Sequence, residues 1–171
     1  MEIEIRSARK EDEEELARLV TQFKREHSEM IGGEGDFALD AAREEVAERM
    51  AGEDEGYFVA VDGDGPDHLL GYRRWKLEEE IYFSKELYVV PESRRSGVAR
   101  ALIGHFEDWL LDRDQEIACI SCTPHNMAMI GLARSEGYNV LNTIEMRKNL
   151  TDSAREPRGR KEALGFTWKV L

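Results

Sequence analysis

Between Ile81 and Cys122 the sequence runs IYFSKELYVVPESRRSGVARALIGHFEDWLLDRDQEIACISC, and the order of segments inside it limits the fold more than any other stretch. A strand-like apolar run ends at Pro91, which has no N–H to give to a ladder. Val98, Ala101, Leu102, His105, Phe106 and Trp109 then recur at helical spacing, with an end expected at Asp112 to Asp114, and EIACISC reads as strand again. A helix between two strands implies a parallel crossover, which sets the helix N-terminus beside the C-terminal end of the first strand. A ligand site is expected at that junction.

The rest of the chain supplies the surroundings. MEIEIR alternates apolar and charged residues as a first strand does, and Leu16, Leu19, Val20, Phe23 and His27 mark a helix from about Glu11 to Glu29. The glycines of IGGEGDF end it, and Leu39, Ala42, Val46 and Met50 mark a second helix that stops near Gly52. YFVAV and LLGYRRWKL are strands joined by the turn DGDGPD. That acidic turn is not a calcium loop, because the bidentate glutamate such a loop needs falls about where Arg73 stands. Pro124 ends the strand that holds the cysteines, Asn126 is suited to cap a fourth helix carrying Met129, Ile130, Leu132 and Ala133, and Gly137 to end it. YNVLNTIEMRKNL reads as a sixth strand, TDSAREPRGRKEA as a mobile loop and GFTWKVL as a last strand. The order β-α-α-β-β-β-α-β-α-β-β predicts an α/β fold with a mixed, mostly antiparallel central sheet of about seven strands and flanking helices. With 171 residues and no linker, a single domain over 1–171 is expected.

Charge narrows the ligand. Thirty-six acidic against 24 basic side chains give a formal net charge of −12, a field that repels nucleic acid. The turn after Val90 opposes that field locally. The backbone donors of Ser96 to Arg100 have no partner inside the helix they begin, and the helix dipole makes their surroundings positive. Gly97 lets the backbone approach a phosphate, Val98 and the small Ala99 follow, and Arg94, Arg95 and Arg100 add charge-assisted donors. The lysine of a P-loop and the three glycines of a dinucleotide fingerprint are both missing. No apolar run reaches the roughly twenty residues that cross a bilayer. MEIEIRSARK lacks a secretory signal's apolar stretch, so no membrane association and a cytoplasmic location are expected. Cys119 and Cys122 sit three apart in a strand-like run, where side chains point to opposite faces, and no second pair accompanies them. No metal site is expected, and the absence of G-x-S-x-G gives no sign of covalent catalysis.

ELYVVPESRRSGVARALI, followed about thirty residues after its glycine by NMAMIGLARSEGY, resembles the GCN5-related N-acetyltransferase (GNAT) family. The family's acyl-CoA motif, R/Q-x-x-G-x-G/A, stands here as Arg94, Arg95, Ser96, Gly97, Val98 and Ala99, and the element order is similar over nearly the whole chain. The resemblance implies acetyl-CoA as co-substrate and no metal. It implies that the backbone of Leu87, Tyr88 and Val89 bonds the pantetheine amides, that Arg95 to Arg100 wrap the pyrophosphate, and that Asn126 contacts the cofactor as well as capping its helix. Direct transfer to an amine needs a base, and the family's usual place for a carboxylate points to Glu86; the amide of Val89 would serve the oxyanion. Many members carry a tyrosine seven residues after the asparagine, and Ala133 stands there instead. Either the thiolate then leaves without a protein acid, or its protonation falls to a substitute such as Tyr138, Cys122 or Ser121, with Tyr138 also a core aromatic by its place, while His125 stands in a loop by the expected cleft.

The resemblance implies a small-molecule or peptide amine as acceptor. The acidic segment EHSEMIGGEGD suits a cationic one, unless acidity is simply general to the chain. The family's habit of pairing through its last strands implies a homodimer. A non-catalytic acyl-CoA sensor or partner subunit is the alternative that Ala133 leaves open.

Overall fold

The computed structural model describes residues 2–63, 68–151, 157 and 159–170. Strands are β1 (Ile3–Ser7), β2 (Glu55–Asp62), β3 (Leu69–Glu78), β4 (Ile81–Val89), β5 (Cys119–Ile120), β6 (Gly159–Ala163) and β7 (Phe166–Val170); helices are α1 (Glu13–Met30), α2 (Leu39–Ala51), α3 (Val98–Leu111) and α4 (Met127–Ser135). The chain forms two compact units, residues 1–25 with 36–121, and residues 26–35 with 122–171.

The first unit is built on a sheet in the order β1-β2-β3-β4-β5, antiparallel except for the parallel β4–β5 pair. Strand alternation divides its core in two. Tyr57, Val59 and Val61 of β2 pack with Leu16, Leu19 and Val20 of α1 and with Ala42 and Val46 of α2. Phe58 and Ala60, pointing the other way, pack with Val98, Leu102, Phe106 and Leu110 of α3. The i, i+4 stripe on α3 is therefore what holds the crossover helix to its face of the sheet.

One irregularity in β4 matters for the site. Arg74 pairs with Glu86 and Trp75 with Ser84, so Lys85 is an extra residue on β4, a β-bulge. The bulge reverses the alternation. Tyr82 packs on the α3 side, whereas Tyr88, an even number of residues further on, packs on the α1 and α2 side. Glu86 follows Tyr88 onto that second side.

In the second unit, Asn126 caps α4 by accepting from the Met129 N–H at 3.0 Å, and Gly137 (φ 96°) ends the helix, with the Tyr138 N–H donating to Ala133 O at 3.0 Å. Two expectations are corrected there. The central sheet has five strands, and the last two strands form a separate hairpin. The sixth strand is not YNVLNTIEMRKNL, in which no strand is found between 138 and 150, but GRKEA, inside the stretch read as a loop. The physical reason is the turn at Leu164 (φ 56°) and Gly165 (φ 78°), two consecutive left-handed residues that close a tight hairpin and draw 159–163 into register with 166–170. The remainder of that stretch, 152–156 and 158, and most of the acidic DGDGPD turn, 64–67, lie outside the described residues. β5 is also shorter than EIACISC.

Candidate active site

Two features of the first unit converge at the C-terminal end of β4. The first is an open strand edge. The β4–β5 ladder covers only Phe83–Cys119 and Ser84–Ile120, closed by the Ser121 N–H donating to Ser84 O at 3.0 Å. Beyond it, among the described residues, no strand pairs with that edge of β4. The Val90 N–H donates to Leu70 O at 3.0 Å, so by antiparallel alternation the backbone groups of Tyr88 and Glu86 also face β3. Those of Leu87 and Val89 face the open edge. Tyr88 thus presents no backbone donor there, and the Val89 carbonyl already accepts from Arg94 Nε at 2.9 Å.

The second feature is the turn. Pro91–Ser93 forms a single 3-10 turn, after which Arg95 (φ 66°) and Gly97 (φ 98°) are both left-handed and Gly97 is the N-cap of α3. Turns of consecutive N–H groups around left-handed residues make concave anion sites. Among the described residues, the N–H groups of Arg95, Ser96, Gly97, Val98 and Ala99 donate to no other protein atom. A Cβ built on Gly97 meets nothing within 4 Å, so the space over the turn is open. Val98, 1% exposed, anchors the helix start in the core. The Ser96 hydroxyl donates to Ser93 O at 2.6 Å and fixes the turn from within. All three arginines, Arg94, Arg95 and Arg100, are exposed, but Arg94 folds back on the strand end, its guanidinium 5.5 Å from the centre of the Tyr88 ring.

On the sheet face toward α1 and α2, Glu86 is 9% exposed and sits in a network of charges. Oε1 accepts from Arg74 Nε at 2.8 Å and from Arg49 Nη1 at 3.4 Å, and Oε2 accepts from the Tyr72 hydroxyl at 2.9 Å. Glu55 Oε2 lies 2.8 Å from Arg74 Nη1 and 3.6 Å from Arg49 Nε. Burial first, then the Glu86 charge that its hydroxyl faces, push the Tyr72 phenol well above its ordinary pKa of 10.0. Burial lifts Tyr57 to about 12, opposed by its hydrogen bond from Arg49. Both phenols are therefore neutral at physiological pH, and Tyr72 is a fixed donor to the carboxylate.

The sequence pattern of the acetyltransferase (GNAT) family matches residues 14–138. The chain belongs to that family. No curated protein matches it. Among solved structures, it is similar to a probable acetyltransferase, with 19% identity over 91% of this chain and 99% of that one and a TM-score of 0.68. It is similar to the aminoglycoside N-acetyltransferase AAC(6')-Iy in complex with CoA, with 16% identity, 88% and 96% coverage and a TM-score of 0.69. It is also similar to the PaiA N-acetyltransferase from Thermoplasma acidophilum in complex with coenzyme A, with 17% identity, 84% and 94% coverage and a TM-score of 0.67. At these identities the likeness is one of fold.

The GNAT match takes in β4, the turn, α3 and α4, and ends before the β6–β7 hairpin. The first unit of this GNAT chain holds Glu86 and Leu87 to Arg100 together, while Asn126, Ala133 and Tyr138 belong to the second unit. There Ala133 is buried and Tyr138 half-buried. Burial raises the thiol pKa of both Cys119 and Cys122, which keeps them protonated and weakly reactive. Among the described residues no group of three or more metal-ligating side chains is present, and no helix is long and apolar enough to cross a membrane. The sequence reading missed Arg49, Tyr57, Tyr72 and Arg74. The one available signal was the Arg73–Arg74 pair directly after the apolar first half of β3. Arg73 itself is fully buried on the α3 side, over the Phe106 ring at 4.1 Å.

Proposed function

We propose that the protein transfers an acetyl group from acetyl-CoA to a primary amine by direct attack. The observation that carries this reading is the row of unoccupied N–H groups from Arg95 to Ala99 around an open Gly97. Five consecutive donors at a helix start, with Arg95 and Arg100 exposed beside them, suit a diphosphate. The Leu87 N–H and C=O and the Val89 N–H suit the amide groups of a pantetheine arm laid along the open edge, like an added strand. Bound there, acetyl-CoA supplies the activated thioester.

The residues of the chain then have defined tasks. Glu86 receives the proton that the acceptor ammonium must lose before the neutral amine attacks, directly or through water. The Val89 N–H donates to the oxyanion that forms on the thioester carbonyl. Asn126 contacts the cofactor, and Tyr138 protonates the departing thiolate in place of the tyrosine that Ala133 replaces. The acceptor is a small amine or a peptide N-terminus. Solved neighbours include an enzyme in complex with a bisubstrate analog of CoA and acetylneamine and another in complex with sisomicin, consistent with a small-molecule amine. We further propose one functional domain working in the cytoplasm, with a second copy paired through the last strands.

A non-catalytic CoA sensor is the second reading, and buried Ala133 favours it. Turnover separates the two. Release of free CoA thiol from acetyl-CoA, followed across polyamines, amino acid amides and basic peptides, supports the enzyme; CoA binding by calorimetry with no thiol release supports the sensor. Gly97→Glu abolishes binding in either case by placing bulk and negative charge over the turn. Unchanged affinity in that variant overturns the pocket.

A further inference from the structure

The charges around Glu86 form a closed ring. Arg74 reaches Glu55 with Nη1 and Glu86 with Nε, at 2.8 Å each, and Arg49 faces the same two oxygens with Nε at 3.6 Å and Nη1 at 3.4 Å. Two guanidinium groups and two carboxylates thus alternate around one circuit. Arg74, Glu86 and Glu55 belong to three adjacent strands, and Arg49 alone comes from a helix, α2.

Arg49 also ties the ring outward. Its Nη2 lies 2.6 Å from Glu45 Oε1, its Nη1 donates to the Tyr57 hydroxyl at 3.2 Å, and Glu45 is in turn paired with Lys24 of α1. The three nitrogens of one planar fork therefore face different partners, Nη1 the Tyr57 hydroxyl and Glu86, Nη2 Glu45 and Nε the Glu55 carboxylate, a division of labour that an ammonium on a flexible stem does not reproduce. The consequence falls on one atom. Among the described residues, Glu86 Oε1 is taken up by the two arginines and Oε2 carries only the Tyr72 hydroxyl, so Oε2 is the oxygen with capacity left to accept a proton.

We propose that Arg49 is a positioning residue for the reaction: from α2 it holds the Glu86 carboxylate in the one orientation that commits Oε1 to the arginines and leaves Oε2 to take the proton. This rests on the reading of Glu86 as the base. Arg74 shares the task but is also Glu86's partner within the sheet, so Arg49 is the position at which orientation can be altered while the strand pairing is kept.

The test compares Arg49→Gln, Arg49→Lys, Glu86→Gln and the double variant Arg49→Gln with Glu86→Gln, using acetyl-CoA and the amine of the panel that turns over fastest. Arg49→Gln is expected to lower kcat roughly tenfold to a hundredfold, the scale of a misplaced catalytic group, with KM for acetyl-CoA unchanged. Arg49→Lys keeps the charge and the fold but loses the fork, and is expected to recover less than half of that loss on a logarithmic scale. In the Glu86→Gln background, removal of Arg49 is expected to cost nothing further, because there is no base left to orient. A purely structural role would lower the melting temperature and multiply with Glu86→Gln, and that result overturns the proposal. Full rescue by lysine overturns it too, by reducing the role to charge. If Glu86→Gln turns over normally, the base assignment fails and the positioning role with it. If Glu86→Gln is impaired while both Arg49 variants are normal, only the positioning role fails.

Discussion

Arg74 and Glu86 stand directly opposite each other across the β3–β4 ladder, with Nε 2.8 Å from Oε1, and the bulge at Lys85 begins at the next pair. Unbroken alternation from Tyr82 through Ser84 would put the carboxylate on the α3 face, and the bulge turns it to the α1 and α2 face instead. Removal of Arg74 would leave Glu55 and Glu86 facing each other with only Arg49 between them. Arg74→Leu is expected to destabilise the protein by about 3 kcal/mol, the cost of leaving a nearly buried charge without its partner. Urea unfolding measures it, and a loss under 1 kcal/mol would show that Arg49 alone satisfies both carboxylates.

Gly97 at φ 98° separates conformation from space. Its missing Cβ touches nothing, so Gly97→Ala is expected to cost about 1 kcal/mol of stability through the left-handed backbone alone. If the proposed phosphate site is right, CoA affinity should fall by more than that strain explains, since the methyl group would stand over the open donors of the turn. Thermal melts with and without CoA separate the two effects.

Arg94 and Arg95 are neighbours with opposite assignments. Arg95→Ala should weaken CoA binding about tenfold, the worth of one charge-assisted bond, and leave stability unchanged. Arg94→Ala should lower the melting temperature, because the bond to the Val89 carbonyl is lost. Calorimetric titration of both variants checks the pair, and equal loss of affinity would return Arg94 to the phosphate site.

Asn126→Ala is expected to destabilise by about 1 kcal/mol through the lost cap of α4. A simultaneous fall in CoA affinity would show that the side chain serves the cofactor as well. A cap that acts alone moves the melting temperature only.

Asp12 makes stability depend on pH. Its carboxylate is 2.7 Å and 2.9 Å from the two Arg6 Nη atoms, and Oδ2 accepts from the Arg9 N–H at 2.6 Å. Burial works against its charge, yet the Arg6 and Arg9 interactions together outweigh burial and bring the pKa below 3.8. A carboxyl depressed in the folded state contributes stability in full above its unfolded value and loses it as pH falls through its folded value. The melting temperature should therefore drop on acidification below about pH 4. Asp12→Asn, destabilised by about 2 kcal/mol at pH 7, should approach the wild type at pH 3. A gap that is constant with pH would exclude this ion pair as its source.

Much of this protein follows from local chemistry. The period of Leu16, Leu19 and Val20, the alternation of β2, the stop at Pro91 and the cap at Asn126 each depend on residues a few positions apart, which is why the four helices, the first five strands and the last strand were legible along the chain. The turn with open donors was legible for the same reason, since Gly97 and the N–H groups that open α3 lie within one short segment. What tertiary structure alone decided is everything that needs register. A turn at Leu164 and Gly165 sent strand pairing to GRKEA instead of YNVLNTIEMRKNL, because two consecutive left-handed residues select a hairpin whatever the apolar content upstream. A single bulge at Lys85 put Glu86 among Arg49, Tyr72 and Arg74, residues 12 to 37 positions away along the chain. Such a ring is held by distances through space, and no spacing within the sequence encodes them.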